Sequence, residues 1–161
     1  LEILYKGLCD VLDDYMKYNT GLNEIMAMQN EFFTFEYLSM KEYKKNKGHY
    51  VPHFDHHLIY DVNRMKPAKF MNISRVVAFV IYLNDVSDGG ETYFPTLDIK
   101  IKPETGKIIA FPPFYTHLHG AKVPLSNDRY VITSFLSWRV QGDPRKQYGV
   151  IKGANPITKK K

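Results

Sequence analysis

The sequence predicts a mainly β domain, a β-sandwich or jelly roll buttressed by N-terminal helices. Three observations predict it. Residues 1–18 carry apolar side chains at helical spacing. From Phe33 onward, aromatic and β-branched runs are separated by turn signals. Strand and helix patterns do not alternate, which excludes a doubly wound parallel sheet.

The helical stretch rests on Ile3, Leu4, Leu8, Val11, Leu12 and Met16, and Asn19, Thr20 and Gly21 are expected to stop it. A second helix is expected from 22 to about 30. Strands are expected near 35–43, 50–55, 74–83, 91–94, 98–101, 107–111, 117–123 and 129–138. The turns between them are marked by Lys47-Gly48, Asp88-Gly89-Gly90, Pro103 to Gly106, Pro112-Pro113 and Ser126-Asn127-Asp128. Eight short strands after a helical start fit two packed sheets.

The 161 residues are enough for one domain with a real core. The expected division of 1–161 is helical support over about 1–30, a jelly-roll core over about 35–138 and a loose tail at 139–161. Hydrophobic residues at 44% and charged residues at 24% exclude a disordered or fibrous chain. Cys9 is the single cysteine, which excludes a disulfide scaffold and fits a reducing compartment. No signal peptide or membrane-length apolar run is visible, so the expected location is cytoplasmic with no membrane partner. Net charge is +5, but part of the excess is Lys159, Lys160 and Lys161. The other basic residues are interspersed with acids, which argues against nucleic acid as a partner. Lys44, Lys45 and Lys47 read as a solvated loop, with a funnel for an acidic substrate as the other reading.

The chemistry concentrates at His53-Phe54-Asp55. On a strand, residues i and i+2 project to one side, so an imidazole and a carboxylate share one space. Two ligands do not complete a metal site, and the downstream candidates for a third are His117 and His119. Two histidines and a carboxylate form the facial triad of non-haem Fe(II) oxygenases, which leaves three positions open. Zinc accepts the same set as a four-coordinate site. His117 and His119 lie two apart on an expected strand, so geometry alone does not choose between them. A lone His-x-Asp can equally be a surface pair, and the rest of the pattern decides. Arg129 opens the run Arg129-Tyr130-Val131-Ile132-Thr133, which reads as a buried strand. A buried guanidinium needs an anion, and a small-molecule carboxylate entering the sheet interior meets that need. Pairing with Asp128 is the plainer alternative.

Several spaced segments carry a family resemblance: Tyr50-Val51-Pro52-His53-Phe54-Asp55, Arg75 with Tyr82-Leu83-Asn84-Asp85-Val86, Gly89-Gly90-Glu91-Thr92-Tyr93-Phe94-Pro95, then Pro103, Gly106, Leu118-His119 and Arg129-Tyr130. In this order they resemble the 2-oxoglutarate- and Fe(II)-dependent dioxygenases, and within them the prolyl 4-hydroxylase-like group. The resemblance implies a double-stranded β-helix, a jelly roll. It implies that His53, Asp55 and His119 bind Fe(II), and that Arg129 holds the distal carboxylate of 2-oxoglutarate. Tyr82 is then expected to donate a hydrogen bond to that carboxylate, with Tyr43 lining the same pocket. The ten-residue step to Arg129 favours His119 over His117. Arg75 is expected on the substrate side, with Tyr50 and Arg64 as further substrate candidates. The implied activity consumes O2 and 2-oxoglutarate, releases succinate and CO2, and hydroxylates a C–H bond of a prolyl residue in a peptide or protein. Ascorbate is the implied reductant.

The chain departs from the family pattern at Val123-Pro124, at Phe135, where tryptophan is common, and at Ala78, where a hydroxyl residue is usual. His56 and His57 are expected at the pocket rim or behind the metal ligands, and His49 at the surface. The stretch from Asp55 to Arg75, about twenty residues, is long for a connection and reads as a substrate lid. The rival functions are an oxygenase of the same fold acting on a free amino acid or alkylated nucleic acid, and a non-catalytic metal-binding jelly roll.

Overall fold

The computed structural model describes residues 2–29, 33–56, 60–61, 66–67 and 73–139. In chain order it contains α1 (Glu2–Tyr18), α2 (Thr20–Gln29), β1 (Phe33–Phe35), β2 (Ser39–Tyr43) and β3 (Tyr50–His53). Then come β4 (Tyr60–Asp61), β5 (Lys66–Pro67), β6 (Ile73–Tyr82), β7 (Thr92–Phe94) and β8 (Ile99–Ile101). β9 (Ile108–Phe111), a 3-10 turn (Tyr115–His117), β10 (His119–Ala121) and β11 (Arg129–Arg139) complete it.

The strands form two antiparallel sheets and a short hairpin. The larger sheet runs β1-β11-β6-β9, with β2 also paired to β11, and the smaller runs β3-β10-β7-β8. β4 pairs with β5 inside the long connection after Asp55. This is the jelly roll expected from the strand count.

β6 holds the architecture together because it buries both faces. Val77, Phe79 and Ile81 meet Leu8 and Leu12 of α1, with Leu136, in one core cluster. The alternate residues Ala78, Val80 and Tyr82 face Phe94, Phe111 and Val131 in a second cluster. The period-2 alternation of the strand thus separates a helix-facing core from the interior lined by both sheets. α1 is amphipathic, and its buried Leu8 and Leu12 lie four apart on one face.

The expected strand 50–55 ends at His53, so Asp55 lies past β3 and not on one strand face with His53, and three other boundaries differ from the sequence expectation. Asn19 alone separates the helices, and Thr20 and Gly21 belong to the first turn of α2. The Asn19 side chain donates to the Tyr15 carbonyl at 2.8 Å, while its own carbonyl accepts from Leu22 and Asn23. Second, the expected strand 35–43 is broken between β1 and β2. There the Glu36 side chain turns into the interior, 9% exposed, to reach a basic partner. Third, the expected strand 117–123 shortens to β10, and His117 belongs to the 3-10 turn. Pro112-Pro113 lacks backbone N–H donors, so the chain leaves the ladder there and rejoins it only at His119. The lid segment 62–65 and 68–72, with Arg64, lies outside the described residues, as do His57 and the tail 140–161.

Candidate metal centre and cosubstrate pocket

β3 and β10 pair so that His53 and His119 are direct register partners. Opposite residues in a ladder share a face, which brings the two imidazoles together at 4.4 Å between centroids. Asp55 follows just past the end of β3. Its Oδ1 lies 3.4 Å from His53 Nε2 and its Oδ2 lies 3.3 Å from His119 Nε2. Ligand atoms of all three residues lie within 4.8 Å of one another, the one such group among the described residues.

Backbone carbonyls orient both rings. His53 Nδ1 lies 2.9 Å from the Val51 carbonyl, and His119 Nδ1 lies 3.1 Å from the His117 carbonyl. A carbonyl only accepts, so each Nδ1 carries a proton, and each ring turns its Nε2 toward Asp55. Two imidazole Nε2 atoms and a carboxylate thus converge on one point. A cation is what such a set accommodates, and the donor chemistry fits a divalent metal. Burial pushes the Asp55 carboxyl up, but hydrogen bonding and charge from His119 and His53 outweigh it and hold it well below the usual carboxylate range.

The structure places the two histidines differently, although strand geometry left them equivalent. His117 does not share a strand face with His119, because it sits on the 3-10 turn. Its carbonyl orients His119, while its ring meets Thr116 Oγ1 at 2.9 Å and the edge of Phe94. His56 packs against Phe114, and His49 bonds the Lys47 carbonyl at the surface.

Arg129 lies deeper in the same cavity. It is 2% exposed, yet no carboxylate pairs with it among the described residues. Asp128, its plainer candidate partner, instead accepts from Lys44 Nζ and the Lys45 amide. Arg129 Nη2 donates to Thr92 Oγ1 at 2.9 Å, while its Nε and Nη1 are buried without a hydrogen-bond partner. Tyr43 and Tyr82 flank the guanidinium, at 4.6 and 5.4 Å from the ring centroids. The Tyr82 hydroxyl donates to Thr92 Oγ1 at 2.7 Å, so Tyr82 stands behind Thr92. Asn84 brackets this position: its amide donates to the Asp128 carbonyl and its oxygen accepts from the Tyr130 amide, both at 2.8 Å. These bonds fix the backbone on either side of Arg129.

The cavity, about 40 Å³, is lined by Tyr43, His53, Asp55, Thr92, His119 and Arg129, among others. It shares Lys41, Tyr50, His53, Asp55, Thr133 and Phe135 with an outer pocket of about 420 Å³. Tyr37, Phe54 and Arg75 line that outer pocket too. The Tyr50 ring meets His53 edge-on at 4.3 Å. The Arg75 guanidinium lies 3.5 Å from the Phe135 ring centroid.

Sequence reasoning missed Thr92 and Glu36. Thr92 lies inside the segment Gly89–Pro95, but only the fold reveals that it faces Arg129. Glu36 carried a usable signal: an acid inside the aromatic run Phe33-Thr34-Phe35-Glu36-Tyr37 is out of place unless something buried pairs with it.

A model of the 2OG-Fe(II) oxygenase superfamily matches residues 38–137. The viral collagen prolyl hydroxylase from Paramecium Bursaria Chlorella virus-1, in its 2OG complex, superimposes with a TM-score of 0.55 and 25% identity over 78% of this chain and 72% of that one. A Pseudomonas putida prolyl-4-hydroxylase matches with a TM-score of 0.51 and 20% identity over 80% of this chain and 66% of that one, a likeness of fold. A protein of Acanthamoeba polyphaga mimivirus named "Putative prolyl 4-hydroxylase" is 46% identical over 39 residues, which is 24% of this chain and 16% of that protein's length. No helix among the described residues is long and apolar enough to cross a membrane.

Proposed function

The chain belongs to the 2OG-Fe(II) oxygenase superfamily, and from that premise we propose that it hydroxylates a C–H bond of a prolyl residue in a peptide or protein. In this reading His53, Asp55 and His119 hold Fe(II), and Arg129 holds the far carboxylate of 2-oxoglutarate. When bound, the iron and the keto acid supply the oxidising chemistry, with O2 consumed and succinate and CO2 released. The observation that carries the reading is Arg129: a buried guanidinium with two nitrogens unpaired, in the cavity that the three proposed ligand side chains also line.

The chain's own residues bind, orient and exclude. Arg129 Nε and Nη1 each keep N–H donors free for an incoming carboxylate. Thr92 Oγ1 already accepts from Arg129 and Tyr82, so its hydroxyl proton is free to donate to the same anion. Tyr43 closes one side, and the packed side chains of Val80, Val131 and Phe135 keep water from the reacting end. The Nδ1–H bonds of His53 and His119 hold both rings with Nε2 presented to the metal.

An aromatic rim supports a peptide substrate. Tyr37, Tyr50 and Phe54 are 75%, 45% and 40% exposed around the outer pocket. Exposed rings bordering a groove suit an extended proline-rich segment, whose ordering entropy is low. The resemblance to the viral collagen prolyl hydroxylase supports the same substrate class. The test measures succinate release with Fe(II) and 2-oxoglutarate in the presence of a proline-rich peptide, free proline or a methylated oligonucleotide. Stimulation by the peptide, with one oxygen atom gained at proline by mass spectrometry, is the expected result. Stimulation by free proline or the oligonucleotide alone overturns the substrate assignment.

A further inference from the structure

We infer that Arg75 and Glu36 form a positioning pair that holds the metal-binding carboxylate of Asp55 in place, rather than a pair whose main task is substrate contact. The inference rests on the metal-centre reading above. Arg75 Nη1 donates to the backbone carbonyl of Asp55 at 3.1 Å. The rest of the guanidinium is committed to Glu36: Nε donates to Oε1 and Nη2 to Oε2, both at 2.8 Å. This is the bidentate geometry in which an arginine is held most rigidly.

Glu36 is itself fixed from three directions. Its Oε1 accepts from Ser137 Oγ at 2.5 Å, its carbonyl accepts from Ser134 Oγ at 3.0 Å, and its amide donates to the Phe135 carbonyl at 2.8 Å. Both serines are buried. The Phe135 ring lies 3.5 Å from the guanidinium and supports it from the side. The chain of contacts therefore runs from the rigid centre of the larger sheet to a residue just past the end of β3.

Asp55 needs such a support. His53 and His119 are on paired strands, but Asp55 is past the ladder and has no strand partner of its own. The amide of His56 donates to the Pro113 carbonyl at 2.8 Å, which ties down the following peptide. Arg75 ties down the carbonyl of Asp55 itself. Groups that orient a metal ligand without touching the metal typically change its affinity by about 10–100-fold when lost.

The test uses the full chain with Mn(II) as probe. Mn(II) dissociation constants are measured by electron paramagnetic resonance for the wild type, Arg75→Lys, Glu36→Gln and the double variant. Asp55→Ala is the control for the site, and circular dichroism of each metal-free protein shows that it is folded. Each single variant is expected to weaken Mn(II) binding by about tenfold or more. The double variant is expected to cost little more than either single one, because the two residues act as a unit. At saturating metal, the peptide KM of Arg75→Lys stays near the wild-type value. Mn(II) affinity within twofold of wild type in both single variants overturns the inference, and a raised peptide KM alone assigns Arg75 to the substrate instead. Should Glu36→Gln fail to fold, Ser137→Ala takes its place with the same expected direction. If the wild type and Asp55→Ala bind Mn(II) equally, the metal-centre reading itself fails, and that result is distinct from a failure of the pair alone.

Discussion

Asp55 faces two histidine Nε2 atoms at 3.3 and 3.4 Å, so its loss removes the only negative charge among the three proposed ligands. Asp55→Ala is expected to lower Fe(II)-dependent succinate release by more than about 100-fold, beyond the range for outer groups. Turnover near the wild-type rate in that variant would sink the assignment of the three ligands. Thr92 tests the deeper end. Its hydroxyl is the shared acceptor of Arg129 and Tyr82, and Thr92→Val leaves both donors buried without it. An unsatisfied buried donor costs about 1–3 kcal/mol, so the KM for 2-oxoglutarate is expected to rise about tenfold while kcat at saturating keto acid changes little. An unchanged KM means that Thr92 does not hold the guanidinium in working position. That His53, Asp55 and Arg129 gather at one cavity was readable from the chain, because each belongs to a short, spaced motif. The pairing of Thr92 with Arg129 and of Glu36 with Arg75 was not, since the partners lie 37 and 39 positions away.

The helices and strands were legible where hydrophobic period and turn chemistry agreed. α1 is the plainest case: Leu8 and Leu12 fall on one face and seal the outer side of β6. Leu8→Ala is expected to cost about 2–5 kcal/mol in urea denaturation, with activity per folded molecule preserved, because Leu8 lies on the face of the sheet opposite the site. A cost below about 0.5 kcal/mol contradicts that packing. The break between β1 and β2 and the 3-10 turn before β10 were not legible. The first depends on Glu36 finding Arg75 across the sheet, and the second on backbone pairing that the sequence does not display.

The connection after β6 carries a pH response. Asp85 accepts from the Thr105 amide at 2.6 Å and from Thr105 Oγ1 at 2.9 Å, and these bonds lower its pKa. A carboxyl with a depressed folded pKa contributes stability above its unfolded value, about 3.9, and that contribution is lost as pH falls through the folded value. Asp85→Asn is therefore expected to flatten the fall of Tm below about pH 4. An acid limb as steep as that of the wild type contradicts the role of the Thr105 bonds.

As a unit, the molecule sets a rigid five-stranded sheet, backed by α1, against a smaller sheet that carries two of the three proposed ligands. The cation comes from the larger sheet, on β11, and the histidines come from the smaller, on β3 and β10. A ligand reaching from Arg129 to the three proposed ligands would span the interior between the sheets. The jelly roll was legible from eight short strands after a helical start, whereas the pairing of those strands into two sheets was not. Short strands of similar composition admit several antiparallel orders, and long-range register chooses among them. The most direct measurement is a crystal structure of the full chain grown with Mn(II) and 2-oxoglutarate under nitrogen. The account predicts the metal on His53 Nε2, Asp55 and His119 Nε2, with the far carboxylate on the Arg129 guanidinium. Metal bound elsewhere, or a keto acid that leaves the Arg129 guanidinium unpaired, would contradict it.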